Sequence, residues 1–146
     1  MDMTALKIER EIVINAPVDM VWRTITEPEE ISQWFADRVE LELEPGGDGY
    51  MGFGEQGGSL VVEAVERPSR FSFRWNHATG EDPVAGNSLL VEFTLVPEGA
   101  ERTRLRVVES GLELLAWPDA QKENYAAEHN NGWATFLGRL DALLTE

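Results

Sequence analysis

Residues 122–144 read KENYAAEHNNGWATFLGRLDALL, and this stretch decides the fold. Tyr125, His129, Gly132, Trp133, Phe136, Leu137, Leu140 and Leu144 recur at the three- and four-residue spacing that gathers side chains on one helical face. Glu123, Ala127, Asn130, Asn131 and Arg139 fall on the other side. This is the only long helix the sequence can build, and it follows a run of strands. One long helix against many strands predicts a curved sheet gripping a helix, a pair that usually encloses a cavity. Gly132 costs about 1 kcal/mol relative to Ala inside a helix. Its presence predicts either a close approach of helix to sheet or a bend over the cavity. The C-terminal half of the stretch is more purely aliphatic and reads as solid core. The N-terminal half mixes Tyr125, His129 and Trp133, as the wall of a partly polar pocket would.

Upstream, the hydrophobic period switches to two. Leu6, Ile8, Ile12 and Ile14 share one face of a first strand, which Arg10 interrupts by a bulge, a frayed start or an inward charge. Asn15-Ala16-Pro17 begins a short helix with its cap at Asn15 or Ala16, striped by Val18, Val21, Trp22 and Ile25. A second short helix spans Glu29 to Phe35. Six strands follow: Val39–Leu43, Tyr50–Gly54, Ser59–Val65, Arg70–Trp75, Leu89–Leu95 and Thr103–Glu109. Turns at Pro45–Gly49, Gln56–Gly58, Arg67–Ser69 and Pro97–Glu101 separate most of them, and a polar loop spans His77–Asn87. Hairpin-length links make sequence neighbours antiparallel. The two helices form a long crossing that returns strand one beside strand seven, giving the order 1-7-6-5-4-3-2. In that order Glu9 and Glu11 meet Arg104 and Arg106, and Glu92, Arg70, Arg74 and Glu63 continue the alternation of charge. Such pairs contribute roughly 0.2–1 kcal/mol each and read as a solvated convex face.

The chain has 146 residues, 27 acidic against 12 basic, a net charge of −15 and no cysteine. One domain over residues 1–146 is the reading its length supports. The charge argues against nucleic acid as a partner and against membrane insertion, since an acidic field repels phosphate and anionic lipid. Without cysteine there is no disulfide, thiol nucleophile or thiolate metal site. With only His77 and His129 and no HExxH spacing, the sequence predicts no metal site and no cofactor. The Gly46–Gly58 stretch lacks the Gly-Lys-Ser/Thr ending of a phosphate cradle and reads as hairpin turns. The expected setting is the cytoplasm, because no leader-like or membrane-length apolar run is present.

Three blocks carry a family likeness: INAPVDMVWRTITEPEEISQWF at 14–35, PGGDGYMGFGEQGGSLVVEAVERPSRFSFRW at 45–75, and HNNGWATFLGRLDALL at 129–144. Together they resemble the START-like, helix-grip superfamily shared with polyketide cyclases and the birch-pollen allergen. The nearest branch resembles the domain homologous to the activator of heat-shock-protein ATPase. The resemblance spans nearly the whole chain and implies an α+β fold: a curved seven-stranded antiparallel sheet wrapped around a C-terminal helix, with two short helices after strand one. Pro17, Trp22, Trp34, Gly58, Pro68, Trp75, Gly132 and Trp133 match positions that shape the grip, none of them catalytic. Members include lipid and polyketide binders, cyclases, self-resistance proteins and co-chaperone or stress-response domains, so the likeness implies fold more than activity.

Trp34, Phe53, Phe71, Phe73, Trp75, Phe93, Tyr125, His129 and Trp133 are the candidate lining of a ligand cavity, against the alternative that the rings fill it. Trp117 is a candidate gate, in the Leu112–Asp119 loop, with the His77–Asn87 loop beside it. Strand parity puts Glu109 on the inner side with Leu105 and Val107. There it is a weak candidate acid or base, and a solvated rim position is the favoured reading. His129 is a weak candidate proton carrier, more simply a hydrogen-bonded core or rim group. Arg10, Arg38 and Tyr125 complete the inward polar candidates. The leading functional expectation is a binder of a hydrophobic or aromatic small molecule. The alternatives are a cyclase- or dehydratase-like enzyme and a co-chaperone-like interaction domain. A homodimer through an exposed edge such as Val39–Leu43 is a further expectation.

Overall fold

Perfect alternation in Arg70–Trp75 places Phe71, Phe73 and Trp75 on the concave side of a sheet, and the rest of the molecule is arranged about that strand. The computed structural model describes residues 7–75, 83 and 88–145. Its elements are β1 (Ile8–Ile14), α1 (Val18–Thr26), α2 (Pro28–Ile31), β2 (Arg38–Leu41), β3 (Asp48–Phe53), β4 (Gln56–Glu66), β5 (Arg70–Trp75), β6 (Leu89–Pro97), β7 (Thr103–Ser110) and α3 (Asp119–Leu144). A 3-10 turn at Leu112–Leu114 precedes α3. The strands form one antiparallel sheet in the order β1-β7-β6-β5-β4-β3-β2, so the crossover made by α1 and α2 returns β1 to the far side of β7. This is the helix-grip α+β architecture, with a curved sheet closed over by α3.

Ion pairs on the convex face follow the order of the strands. Arg106 lies 2.6 Å from Glu9, and Arg104 lies 3.3 Å from Glu11. Arg70 lies 3.1 Å from Glu92, and Arg74 lies 2.9 Å from Glu63. All are exposed or partly exposed, so each adds little to stability. A shift by one residue would turn these charged side chains toward the core and the apolar set outward, so these pairs reinforce register.

The concave side holds the core. Ile14, Leu95, Leu105 and Val107 from the sheet, Val21, Trp22 and Ile25 from α1, and Leu137 and Leu140 from α3 are all buried. Trp22 meets the Phe71 ring edge-on at 6.5 Å. Trp34 is fixed at the end of the crossover by donating its indole N–H to the Thr24 carbonyl at 2.9 Å.

Several boundaries differ from the sequence reading. Gln56-Gly57-Gly58 belongs to β4, not to the turn, which is only Gly54-Glu55 with Gly54 at φ +69°. The neighbouring strand explains Gly57: a Cβ there would run into the Tyr50 hydroxyl and lie 2.8 Å from the Met51 carbonyl oxygen. β2 ends at Leu41, leaving Leu43 exposed. α2 is a single turn, and Trp34-Phe35 follow it in a turn of their own. The first helix is capped at Pro17, one residue after Ala16 and two after Asn15, and the Pro17 carbonyl accepts from Met20 and Val21. α3 begins earlier, at Asp119.

Arg10 neither bulges β1 nor carries charge into the core. β1 pairs with β7 without a break from Ile8 to Ile14, and Arg10 donates from Nε to the Asn130 carbonyl of α3 at 3.0 Å. Asn130 in turn clasps the open edge of β1. Its Nδ2 donates to the Lys7 carbonyl at 2.8 Å, and its Oδ1 accepts from the Glu9 amide at 3.3 Å. The helix thereby satisfies edge groups that would otherwise offer a pairing template.

Candidate functional site

Strand parity turns every second side chain of β7 inward, so Leu105, Val107 and Glu109 are all buried. The last of these is a carboxylate only 2% exposed. The solvated rim position favoured by the sequence reading is therefore incorrect. β7 runs one residue beyond the expected Thr103–Glu109, to Ser110, and Gly111 turns the chain away at φ +112°.

A buried carboxylate persists only if its oxygens are satisfied. Four donors satisfy Glu109. The Trp75 indole N–H reaches Oε2 at 2.9 Å from β5, and the Tyr125 hydroxyl reaches the same oxygen at 2.5 Å from α3. Trp133 Nε1 donates to Oε1 at 3.0 Å, and His129 Nδ1 lies 2.7 Å from Oε1. Both indoles can only donate, which marks Glu109 as the acceptor. Burial is the largest influence on its pKa and pushes it up. The hydrogen bond and charge of His129, joined by the Tyr125 and Trp133 hydrogen bonds, outweigh burial and hold the carboxyl below its ordinary range. Burial, reinforced by the negative charge of Glu109, raises the Tyr125 hydroxyl well above the ordinary phenol value and keeps it protonated as a donor.

The carboxylate also fixes the histidine. Because an ionised carboxylate accepts and cannot donate, Nδ1 of His129 must carry the hydrogen of the shared bond. The ring is further held by stacking on Tyr125, with centroids 3.7 Å apart and planes 17° from parallel. In its neutral form His129 then has an acceptor at Nε2, and in its charged form a donor there.

In front of this group lies a cleft of about 270 Å³, lined by Phe35, Phe53, Trp75, Glu128, His129, Gly132, Trp133 and Phe136. Phe35, Trp75 and Trp133 are nearly parallel, with mutual angles of 18–29° and centroid separations of 5.0–6.3 Å. Phe53 and Phe136 stand at 79° and 86° to Phe35 and form upright walls. Gly132 has another role than a close approach to the sheet. A Cβ there would meet only Phe136 Cε2 at 4.0 Å, so the missing side chain leaves room in the cleft.

Of the nine aromatic and histidine candidates, the structure brings Phe53, Trp75, His129 and Trp133 to the cleft. Tyr125 sits behind them on Glu109. Trp34, Phe71, Phe73 and Phe93 lie in the packed core: Phe71 and Phe93 are stacked at 6.3 Å, Phe73 is fully buried, and Trp34 lies edge-on to Phe93. Trp117 is half-buried against Tyr125 at 5.5 Å rather than over the cleft. The His77–Asn87 loop lies outside the described residues except for Pro83. Arg38 points away, bonded to Glu40 at 2.9 Å on the exposed edge strand.

The sequence reading missed Phe35, Glu128, Gly132 and Phe136 as cleft residues. Three of them had a usable signal, since 128, 129, 132, 133 and 136 follow one helical face. Phe35 had none, because it lies in an irregular turn without periodicity. Among the described residues, no group of three or more His, Asp or Glu side chains could hold a metal ion, and no helix is long and apolar enough to cross a membrane.

Comparison with known proteins gives this geometry a family context. The model of the family described as activator of Hsp90 ATPase homolog 1-like protein matches residues 15–145. No curated protein matches. Among solved structures, a protein of Mesorhizobium loti is 24% identical with a TM-score of 0.79, over 96% of this chain and 98% of its own. The Aha1 dimer of Colwellia psychrerythraea is 20% identical with a TM-score of 0.73, over 94% of this chain and 95% of its own. Both likenesses are of fold. DynU16, a putative protein in the dynemicin biosynthetic locus, is 30% identical with a TM-score of 0.76; the match covers 94% of this chain and 46% of DynU16.

Proposed function

The chain belongs to the activator of Hsp90 ATPase homolog 1-like family, and on that premise we propose that it binds a hydrophobic or aromatic small molecule in the cleft between the sheet and α3. The cleft itself carries this reading. Among the described residues, five aromatic rings line about 270 Å³, just below the roughly 300–1,000 Å³ usual for small-molecule sites, beside a minority of polar groups. The likeness to DynU16, from a biosynthetic locus, supports a small-molecule role. Affinity comes from apolar burial and ring stacking, and orientation comes from His129 and Glu128 at the wall.

A second reading, an acid–base enzyme, is favoured by one contact, the 2.7 Å approach of His129 Nδ1 to Glu109. It assigns Glu109 to orienting His129 and His129 to moving the proton. A homodimer through the β2 edge also remains a proposal, supported by the dimeric Aha1 neighbour.

Native mass spectrometry of the protein from its own host, compared with the denatured protein, tests the binding reading. A reproducible small molecule that leaves on denaturation supports it. A bare protein that also shows no chemical-shift change with apolar or aromatic probes contradicts it.

A further inference from the structure

Seven side chains of this protein can give up a single electron from an indole or a phenol: five tryptophans and two tyrosines. Their placement is uneven. Trp22, Trp34, Trp75, Trp133 and Tyr125 are buried, whereas Trp117 and Tyr50 reach solvent. Tyr50 lies on β3 beneath the Arg38 guanidinium. Trp117 instead touches the interior, with its ring 5.5 Å from that of Tyr125. From Tyr125 the rings continue to His129 at 3.7 Å, to Trp75 at 6.2 Å and to Trp133 at 6.3 Å, in the wall of the cleft.

Glu109 gives this series a chemical meaning. A phenol or an indole that loses an electron becomes a far stronger acid. The electron therefore leaves most easily where a base in hydrogen-bond contact can take the proton. Glu109 is such a base for three of these rings, accepting from Tyr125 at 2.5 Å, from Trp75 at 2.9 Å and from Trp133 at 3.0 Å. By contrast, the Trp34 indole donates to the Thr24 carbonyl, which is a poor proton acceptor. Burial and the charge of Glu109 keep the Tyr125 hydroxyl protonated in the resting protein. Its proton thus moves only when the electron does.

We propose that Tyr125 is a one-electron donor site, with Glu109 as its proton acceptor and Trp117 as its electrical contact with the surface. The oxidant is an outer-sphere one-electron acceptor, an oxidising radical or a high-potential metal complex. It takes one electron from Trp117, leaving a tryptophan radical cation. That cation takes one electron from Tyr125 while the hydroxyl proton passes to Glu109. The products are neutral Trp117, a neutral tyrosyl radical and a carboxylic acid, and no bond between heavy atoms is made or broken. One electron from a thiol reductant, with return of the proton from Glu109, restores the resting state. Trp75 and Trp133 extend the path to the cleft, so an oxidising radical arising there is drained to the surface. The proposal does not depend on what the cleft holds.

The test uses photogenerated tris(bipyridine)ruthenium(III) on protein carrying Tyr50→Phe, which leaves Tyr125 as the only tyrosine. Transient absorption and freeze-quench electron paramagnetic resonance follow the radicals. A tryptophan signal should decay into a tyrosyl radical, and more slowly in heavy water, because a proton moves with the electron. Adding Trp117→Phe should remove most of the tyrosyl yield. A tryptophan radical that never gives way to tyrosyl overturns the proposal. An equal tyrosyl yield without Trp117 overturns the path, and an unchanged rate in heavy water overturns the role of Glu109, with no variant at that buried residue required.

Discussion

His129 Nδ1 lies 2.7 Å from Glu109 Oε1, joining the middle of α3 to the inner end of β7. The contact has two duties. It positions a ring in the wall of the cleft, and it helps satisfy a carboxylate that is otherwise costly to bury.

Replacing Glu109 with Gln tests the second duty. The amide presents two hydrogens to a site whose surrounding groups are donors, so at least one donor loses its partner. Breaking a buried charged network by removing one partner costs about 3–5 kcal/mol. The urea midpoint of Glu109→Gln should fall accordingly with an unchanged slope. A loss below about 1 kcal/mol would mean the four hydrogen bonds contribute little net stability.

The pH dependence has a definite sign. The carboxyl of Glu109 is held below its ordinary value in the folded protein. The unfolded chain therefore takes up the proton first as pH falls. The stabilisation is complete above the unfolded value, near 4.5, and is lost as pH falls through the folded value. Thermal melts from pH 6 down to 3 should show wild type losing its advantage over Glu109→Gln across that window. A constant difference would contradict the depressed pKa.

Gly132 separates stability from binding. Its missing Cβ meets only one ring atom at contact distance. Gly132→Ala should therefore gain up to about 1 kcal/mol of helix stability, because a mid-helix glycine is disfavoured by that amount. Gly132→Phe should fold and lose ligand, since the larger ring projects into the cleft. Destabilisation by the Ala variant would show that the helix needs glycine for its path.

Asn130→Ala removes the clasp on β1. With the hydrogen bonds to Lys7 and Glu9 gone, the expected cost is about 1–2 kcal/mol. Faster amide exchange should be confined to the β1 edge, above all at Glu9. Unchanged exchange there would mean that Arg10 alone holds the edge.

Much of the fold was legible because its signals are local. Alternation in Arg70–Trp75 and in Thr103–Glu109 sets which faces point inward, and the charges of Glu9, Glu11, Arg104 and Arg106 set which strands are neighbours. The clustering of polar groups was not legible in the same way. Parity placed Glu109 inward, yet its donors come from β5 and α3, distant in sequence, and no spacing rule links Trp75 to Trp133. Cleft and core aromatics also look alike in composition. Phe71 and Phe93 stack within the core while Phe53 and Phe136 line the opening. Gly132 was noticed for its helix penalty, but the compensation proved to be space rather than contact.

The register that sets Ile8 opposite Glu109 and Ile14 opposite Thr103 has a consequence in time. During synthesis the first strand leaves the ribosome long before its sheet partner, β7, exists. At about 5–20 residues per second, that interval is on the order of ten seconds. Meanwhile the hairpins from β2 to β6 can form in sequence, each from neighbouring strands. Closure of β1 onto β7 comes late, and the clasp by Asn130 comes later still. A newborn chain therefore spends its longest exposed interval with an unpaired apolar first strand, and a chaperone would have most to shield there.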